Sequence, residues 1–273
     1  MKEKYLTDKQ IRFKTWFAFL FFILAFCAGI AAWFWLKNQP GDGGVLGGIS
    51  KPKNKPGNGG LLGGIPKPLR AGLEVNDKFF TNTFNPNRLM PVFPKSQAVK
   101  KARVNGKIGM NENNFDPQSW KLQVLKANGD TLYFSLDEIK KLPKTEIVFN
   151  FKCIEGWSQK TWWGGVKFSD FIRYYNLDKE SSLKYVGLST PDEEYYVGID
   201  MPSAMHQQTL LCYELNGQPL PSNQGYPLRL IIPVKYGIKS IKRIGTMYFS
   251  DQRPPDYWAE RGYDYYSGFL SSL

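Results

Sequence analysis

Three cysteines and one histidine are the first candidates for metal binding or nucleophilic chemistry in this chain. Cys27, Cys153 and Cys212 are 126 and 59 positions apart, so no C-x-x-C pair exists and an iron–sulfur cluster held by four local thiolates is excluded. The single histidine, His206, excludes a haem with two histidine ligands within this chain and disfavours a His-rich zinc site. Redox chemistry here therefore needs a cofactor that takes at most one protein thiolate.

Two segments combine reactive or charged side chains with turn residues. One is Phe151-Lys-Cys-Ile-Glu-Gly-Trp157, and the other runs from Asn216 to Lys242 around an apolar stretch, Pro227–Val234. Five cations lie within 15 residues of one another: Arg229, Lys235, Lys239, Lys242 and Arg243. They predict a bound anion such as phosphate, because an unpaired buried charge is costly, and Gly225 and Gly237 would let the backbone approach it. A solvated basic edge that protects a sheet margin is the alternative.

The domain that positions these side chains is predicted to be mixed, α+β, with more strand than helix. Lys121–Lys126 and Thr131–Phe134 flank Asn128-Gly129, a dipeptide whose two residues accept positive φ, so a β-hairpin is predicted. Ser135-Leu-Asp-Glu138 is a capping box that opens a short helix ending before Pro143.

Alternation of apolar residues predicts the strand that leads to Cys153. Within Glu146–Cys153, the side chains of Ile147, Phe149, Phe151 and Cys153 share one face. The cysteine therefore lies at the end of a strand, where loops carry chemistry. The remaining predicted elements are a helix at Ser169–Tyr175 and strands at Lys184–Ser189, Tyr195–Ile199 and Pro227–Val234, the last buried on both faces.

The N-terminal region differs sharply from the rest of the chain. Residues 15–36 contain no charge and are rich in Phe, Trp, Ala, Ile and Leu, so they are predicted to form a transmembrane helix of roughly 33 Å. A cleaved signal peptide is the alternative, but the run is long for one and lacks an obvious small-residue cleavage site. Residues 1–14 carry five cations, whereas the 14 residues after the span contain only Lys37. This bias predicts a cytoplasmic N-terminus and a domain outside the cytoplasm.

Residues 37–72 are predicted to be a linker. They contain a near-repeat, GGVLGGISKPK at Gly43–Lys53 and GGLLGGIPKPL at Gly59–Leu69, in a Gly/Pro/Lys background that cannot bury a core. The short apolar islands in it leave a docking segment for a partner as the alternative. Residues 73–273 are then the folded domain. Most of the +12 net charge belongs to residues 1–70, which carry +8, so nucleic-acid binding by the folded domain is not indicated.

The second segment also carries a recognisable pattern, N-G-x-P-L-P-x-x-x-G-x-P-x-R-L-x-x-P-x-K-Y-G-x-K-S-I-K. It resembles the oxidoreductase molybdopterin-binding domain of the sulfite oxidase superfamily. Within that superfamily the chain is most similar to the bacterial periplasmic molybdopterin-dependent methionine sulfoxide reductases. The resemblance covers roughly residues 103–269 and includes Cys153-Ile-Glu-Gly-Trp157, Ala204-Met-His-Gln-Gln-Thr-Leu210 and Arg253-Pro-Pro-Asp-Tyr-Trp258.

The resemblance implies a molybdenum–molybdopterin cofactor and a role for each matching residue. Cys153 matches the thiolate that ligates molybdenum, and Glu155 matches a carboxylate near the metal. The residues that match cofactor contacts are Thr190, Gln224, Arg229, Ser240, Ile241 and Lys242, the last three as a phosphate cradle. Gln224 departs from the family, which often has Asn there, but its side-chain amide can still donate a hydrogen bond. Earlier cofactor contacts are expected near Asn82–Arg88.

For several other residues the sequence indicates a structural role or leaves one open. Cys212 is predicted to be a core residue and Cys27 to face lipid or another helix. His206 either lines the active site or caps a loop, and both interpretations stay open. Tyr195, Tyr196 and the cluster Tyr263–Tyr266 are predicted to pack rather than to contact substrate.

The implied activity is oxygen-atom transfer, with reduction of sulfoxides such as methionine sulfoxide favoured. Glu155 would repel anionic sulfite and tolerate a neutral sulfoxide, and C-x-E resembles the reductase branch. A sulfite-oxidising enzyme of the same fold, a non-catalytic binding module, and a cysteine hydrolase using Cys153 with His206 are the alternatives.

Electrons would come from a separate partner, and family analogy suggests a membrane b-type cytochrome. The resembling enzymes are exported through a twin-arginine signal, whereas this N-terminus has only Gln10-Ile-Arg-Phe-Lys14. Either the export route differs or the domain stays cytoplasmic.

Overall fold

A computed structural model describes residues 8–37, 67–112 and 115–268. Residues 1–7 of the predicted cytoplasmic segment, the first linker repeat and residues 59–66 of the second repeat lie outside the described residues. The chain divides into two compact units, and the larger contains Leu73–Leu273.

The first helix, α1, covers Asp8–Lys37. Within it, Arg12–Trp35 is a 24-residue stretch of mean hydropathy 2.4 with no buried side chains, long and apolar enough to cross a membrane. Length and composition are the only criteria here, and a signal sequence satisfies them equally well. The described part of the chain thus contains one helix that could be a membrane anchor or a signal sequence.

A second helix, α2 at Lys67–Thr83, was not predicted from the sequence and begins inside the segment assigned to the linker. Asp77 is its buried polar residue, and its Oδ2 atom lies 3.0 Å from Nη1 of Arg253. The helix is therefore held to the folded domain through a contact that spans most of the chain.

The remaining elements of the described chain are ten strands and four short α-helices, so the prediction of a mixed α+β domain with more strand than helix is confirmed. The helices are α3 (Leu136–Lys140), α4 (Phe168–Tyr174), α5 (Asp178–Ser181) and α6 (Met201–Ala204). The strands are β1 (Leu122–Leu125), β2 (Thr131–Phe134), β3 (Lys144–Lys152), β4 (Ser158–Lys167), β5 (Tyr185–Ser189), β6 (Tyr196–Asp200), β7 (Leu210–Leu215), β8 (Gln218–Pro219), β9 (Arg229–Ile231) and β10 (Thr246–Ser250).

The strands form two sheets. The first has the order β2-β1-β10-β5-β6, in which β1 and β10 are parallel and the other pairs are antiparallel. The second is antiparallel with the order β3-β4-β7-β8, and β9 also pairs with β7. The first sheet and α4 contribute to the main core, which also includes Leu211, Tyr213 and Leu230 of the second sheet.

Strand β7 of the second sheet is buried on both faces. Leu211 and Tyr213 of β7 point into the main core, whereas the alternate residues Leu210 and Cys212 point into a second cluster with Phe149. Side chains alternate across a strand, so β7 serves both cores. The strands next to Cys153 and Arg229 therefore have little freedom to move.

Most of the predicted elements are confirmed. The hairpin β1–β2, the capping box at Ser135 and Glu138, and the strand that ends just before Cys153 are all present. The prediction for Pro227–Val234 is wrong in length, because only Arg229–Ile231 pairs as a strand. Pro233 has no backbone N–H to extend the ladder. All three residues of β9 are buried, as predicted.

Candidate active-site cleft

Cys153 is the first residue after β3, in a tight turn that leads into β4. Its backbone N–H donates to the carbonyl oxygen of Trp157 at 2.9 Å, and its own carbonyl accepts from Gly156 at 3.1 Å. Gly156 has φ of +90°, a conformation that favours glycine. The turn leaves Cys153 5% exposed, against a cleft that opens to solvent.

The cleft has a volume of about 1100 Å³, including the part open to solvent. Six of the eight predicted site residues line it: Cys153, Glu155, Gln224, Arg229, Ser240 and Lys242. They come from three separate parts of the chain. The structure thus brings the two segments singled out in the sequence to one place.

Thr190 and Ile241 do not line the cleft. The hydroxyl of Thr190 donates to Oδ1 of Asp192 at 2.6 Å, and its backbone N–H donates to Tyr195. The Ile241 side chain lies in the main core, and its carbonyl oxygen accepts from Leu230 at 2.9 Å. A direct contact of either side chain with a ligand in this cleft would need these residues to move.

Arg229 is a buried cation without a carboxylate partner among the residues that the structure describes. Its Nη1 atom donates to the backbone and side-chain oxygens of Gln224, both at 2.9 Å, and its Nη2 atom donates to the carbonyl of Ser240 at 3.1 Å. Nε is buried without a hydrogen-bond partner in the described chain. The guanidinium also stacks on Trp163, 4.6 Å from the ring centroid. Burial lowers the pKa of Arg229 to about 10.

Lys242 lines the same cleft and lies in the segment between β9 and β10. Its ammonium donates to the carbonyl oxygens of Asn105 at 2.6 Å and Gly106 at 3.1 Å. Burial, with a smaller contribution from Arg229, lowers the pKa of Lys242 to about 8. Two cations with no counter-charge between them create a strongly anion-attracting part of the cleft.

The prediction that five clustered cations share one anion site is wrong for three of them. Lys235 pairs with Asp200 at 2.9 Å, Lys239 pairs with Asp256, and Arg243 bonds to carbonyl and hydroxyl oxygens and lies 3.8 Å from Glu112. Buried lysines need such partners. The carboxylates come from distant parts of the chain, so the sequence cluster did not reveal them.

The two glycines have a packing role that the sequence did not predict. A Cβ on Gly225, whose φ is +102°, would lie 2.8 Å from Cβ of Lys242, and one on Gly237 would lie 2.5 Å from the ring of Phe151. Both glycines therefore permit close packing within the protein. Gly237 also lines the cleft, where its backbone can approach a ligand as predicted, whereas Gly225 is not among the lining residues.

Glu155 lies at the exposed rim of the cleft, two residues beyond Cys153. Hydrogen bonds from Asn105 and then Trp157, whose Nε1 lies 3.1 Å from Oε2, lower the pKa of Glu155, and the charge of Arg103 adds to the effect. Its carboxylate is therefore ionised at neutral pH.

The sequence missed the segment that covers one side of the cleft. Ala102, Arg103, Asn105, Gly106 and Ile108 line it, and the side-chain amide of Asn105 donates to Sγ of Cys153 at 3.6 Å. The predicted early contacts at Asn82–Arg88 are not among the lining residues. No motif in the sequence marks this segment, because its hydrogen bonds are made largely through its backbone.

His206 caps a loop and does not line the cleft. Its Nε2 atom lies 3.1 Å from the carbonyl oxygen of Arg88, and its Nδ1 atom accepts from the backbone N–H of Gln208 at 3.2 Å. Burial lowers the pKa of His206, so a neutral ring with its proton on Nε2 satisfies both contacts. A hydrolase that pairs this histidine with Cys153 therefore has no support. Cys212 is fully buried opposite Arg229, as predicted for a core residue.

An aromatic wall completes the cleft. Tyr195, Trp258 and Tyr263 all line it, and the two tyrosines also pack on neighbouring rings, as predicted, with Tyr195 on Tyr257 and Tyr263 on Trp258. The hydroxyl of Tyr195 donates to the carbonyl of Ile238 at 2.6 Å, and burial raises its pKa. These rings give one side of the cleft an apolar surface.

Comparisons with known proteins match this part of the chain. A profile of the family described as oxidoreductase molybdopterin binding domain matches residues 109–258. A protein of Azospira oryzae named for the protein-methionine-sulfoxide reductase subunit YedZ1 is 36% identical over 186 residues, which are 68% of this chain and 70% of that protein. The protein-methionine-sulfoxide reductase catalytic subunits MsrP of Ralstonia nicotianae and Campylobacter jejuni are 34% and 32% identical, over 58% and 53% of this chain.

The chain spans about half the length of these MsrP relatives, 52% and 54%. Among solved structures, the sulfane dehydrogenase SoxCD of Paracoccus pantotrophus is similar with 18% sequence identity and a TM-score of 0.46, covering 62% of this chain and 47% of that one.

Proposed function

Because this chain belongs to the oxidoreductase molybdopterin-binding domain family, we propose that it reduces sulfoxides by oxygen-atom transfer, with protein-bound methionine sulfoxide as the leading substrate. The observation that carries this proposal is the cleft in which Cys153, Glu155, Arg229 and Lys242 meet. The family makes the chain a molybdopterin-dependent oxidoreductase. The direction of reaction and the substrate are the proposal.

The residues of the cleft fit a cofactor that carries a phosphate and takes one protein thiolate. Nε of Arg229 is buried without a hydrogen-bond partner in the described chain, and a buried polar group of this kind calls for a ligand atom. Lys242 supplies a second cation beside it. Phosphate is the ligand that two such donors favour, since charge-assisted hydrogen bonds to it are strong.

The other proposed cofactor contacts surround these two cations. The side-chain oxygen of Gln224 accepts a hydrogen bond from Arg229. Its amide nitrogen donates to the carbonyl oxygens of Ala102 and Arg103. Ser240 lines the cleft next to Lys242. Thr190 and the backbone of Ile241 remain proposed contacts, and both depend on local rearrangement around the loops that hold them.

Cys153 would provide the protein thiolate to molybdenum, and the bound cofactor supplies the oxygen-atom and electron transfer. The chain fixes the thiolate direction through the turn at Gly156 and the hydrogen bond from Asn105. Neighbouring hydrogen bonds of this kind orient a metal ligand and tune the metal.

Glu155 favours a neutral substrate over an anionic one. Its ionised carboxylate stands at the rim, held by Asn105 and Trp157, and it would oppose the approach of sulfite by like-charge repulsion. A sulfoxide carries no net charge and does not meet this barrier. The apolar wall of Tyr195, Trp258 and Tyr263 suits the thioether part of such a side chain.

Steady-state turnover tests the direction of the reaction. Purified holoenzyme with reduced viologen and methionine sulfoxide should consume the reductant, whereas sulfite with an artificial electron acceptor should give little turnover. Sulfite oxidation without sulfoxide reduction would replace the proposed activity with sulfite oxidation and leave the metal site standing. Protein that contains no molybdenum or pterin, from a host that makes the cofactor, would favour a binding module.

We also propose that α1 anchors the chain in the cell membrane, with residues 1–14 in the cytoplasm, 15–36 as the span, 37–72 as the linker and 73–273 as the catalytic domain outside. A separate redox partner, such as a membrane b-type cytochrome, would supply electrons, and a common membrane raises its effective concentration. Protease added to intact spheroplasts should remove the domain and leave the N-terminal stub. Full protection would contradict this topology.

A further inference from the structure

Four basic residues follow one another closely on the segment that borders the cleft: Lys100, Lys101, Arg103 and Lys107, here called the basic collar. All four are exposed. Between Lys100 and Lys107 there is no acidic residue, and the next one along the chain is Glu112. The collar therefore adds four positive charges at one side of the opening.

The backbone of this segment is held by hydrogen bonds, while its three lysine side chains are exposed. Asn216 donates to the carbonyls of Val99 and Lys100 at 3.0 and 3.1 Å, and the backbone N–H of Arg103 donates to Gln159 at 2.8 Å. Lys242 holds the carbonyls of Asn105 and Gly106. A fixed backbone keeps the charges of the collar at a constant place beside the opening.

Nearby carboxylates do not neutralise the three lysines of the collar. Among the residues that the structure describes, Lys100, Lys101 and Lys107 form no ion pair, and Glu146 is already engaged by Lys95 at 2.6 Å and Lys144 at 3.7 Å. Arg103 differs, because its guanidinium stacks on Trp157, 4.8 Å from the ring centroid, and its positive charge attracts the carboxylate of Glu155. The lysines are thus available to a charged partner.

We infer that the basic collar selects polypeptide substrates whose oxidised side chain is flanked by acidic residues. The inference rests on the proposed function and deepens it. A neutral sulfoxide offers no charge for long-range attraction, and the carboxylate of Glu155 lies at the exposed rim, two residues from Cys153. Carboxylates on either side of the sulfoxide would instead meet the collar, outside the cleft. Complementary charge of this kind raises association rates and selects partners.

An acidic electron-donor protein is the competing occupant of this surface. The geometry favours the substrate, because the collar segment itself lines the opening through Arg103, Asn105 and Ile108. A substrate side chain must pass through that opening. An electron donor only needs to come close to the cofactor, and nothing in the described residues directs it to this side.

Short peptides with a central methionine sulfoxide provide the test. One carries aspartates on both sides of the sulfoxide, and its matched control carries asparagines at the same positions. With full-length holoenzyme and reduced viologen at low ionic strength, we expect kcat/KM for the acidic peptide to exceed that for the control roughly three- to tenfold, the combined effect of a few exposed ion pairs. Added salt should remove the difference.

A triple variant locates the effect. Lys100→Gln, Lys101→Gln and Lys107→Gln together should abolish the preference for the acidic peptide while turnover of free methionine sulfoxide stays near the wild-type value. The same triple change at Lys121, Lys141 and Lys179, which are exposed and do not line the cleft, should leave the preference intact. Fluorescence anisotropy of a labelled acidic peptide should show the same order of affinities without turnover.

Three outcomes would overturn the inference. Equal kcat/KM for the two peptides in wild type would show that the collar does not select substrate. A preference that survives the collar variant would place the selecting charges elsewhere. A collar variant that reacts with peptides as wild type but is reduced more slowly by an acidic redox protein would assign the surface to an electron donor. If no sulfoxide is reduced at all, the proposed function itself fails, which neutral sulfoxides reveal separately.

Discussion

The side-chain amide of Asn105 donates a hydrogen bond to the sulfur of Cys153 at 3.6 Å. The two residues are separated by 47 others, and the contact exists because Gln224 and Lys242 hold the backbone around Asn105 against the cleft. Both of those residues are also proposed cofactor contacts. The position of the sulfur is therefore coupled to the loops that would bind the cofactor phosphate.

Replacing Cys153 should separate metal binding from folding. Cys153→Ala removes the proposed thiolate ligand, so we expect molybdenum content and sulfoxide turnover to fall to background while the melting temperature of the cofactor-free chain changes little. Metal analysis beside thermal melting measures both. Cys212→Ala is the matched control, since this fully buried cysteine lies in the core. It should cost about 1 kcal/mol of stability through the small cavity and keep the metal, and the reverse pattern would contradict the assignment.

Replacing Lys239 should reduce stability, whereas replacing Lys242 should reduce cofactor binding, although the two residues are only three positions apart. Lys239 is buried with Asp256 and also donates to the carbonyl of Gly198 at 2.9 Å, so Lys239→Gln leaves a buried carboxylate unpaired and should cost roughly 3–5 kcal/mol. Lys242→Gln should cost little stability but lose cofactor. Denaturant unfolding and pterin content after gel filtration measure the two quantities. Equal effects of both changes would show that the two lysines share one role.

Lys239 and Lys242 also show which features of the fold and the site could be predicted from the sequence. Periodicity and turn residues predicted the local elements: the hairpin β1–β2, the capped helix α3, and the strand that delivers Cys153. Each depends on neighbours within a few positions. Whether a lysine meets a carboxylate or the cleft depends on tertiary pairing, and Asp200 and Asp256 could not be assigned to Lys235 and Lys239 in advance.

The segment beside the cleft and the helix α2 were missed for related reasons. Ala102–Gly106 has no periodic pattern, and it becomes part of the site because side chains from β4 and later loops bond to its backbone. The helix α2 begins among Gly and Pro residues that indicate a linker, and the Asp77 to Arg253 contact that holds it joins distant positions. Long-range hydrogen bonds decide both structures.

Anion binding should weaken as pH rises through the pKa of Lys242. Burial lowers this pKa to about 8 from 10.5, and the protonated form is the one that binds an anion. For full-length protein made without cofactor, sulfate keeps a constant charge and is a suitable probe. We expect up to about a tenfold loss of affinity between pH 7 and 9 in wild type and no such loss in Lys242→Gln.

Titration of Lys242 should affect folding stability in the opposite direction, so that stability rises with pH while anion affinity falls. A lysine whose folded pKa lies below its unfolded value binds fewer protons in the folded state, so its contribution to stability rises between about pH 8 and 10.5. Thermal melts without sulfate compare wild type with Lys242→Gln over this window. A sulfate affinity that is independent of pH in wild type would remove Lys242 from the anion site.

Removing the charge of Glu155 should change which molecules the cleft accepts. Glu155→Gln keeps the size of the side chain and can still accept from Trp157, but it removes the carboxylate whose ionised form Asn105 and Trp157 favour. We expect the inhibition constant of sulfite in the sulfoxide assay to fall by up to about tenfold, because a nearby like charge is gone. KM for neutral methionine sulfoxide should change much less. Glu74→Gln, an exposed change in α2 at a residue that does not line the cleft, is the matched control. Unchanged sulfite inhibition in Glu155→Gln would mean that this carboxylate does not discriminate between neutral and anionic ligands. Glu155 would then not favour sulfoxide reduction over sulfite oxidation.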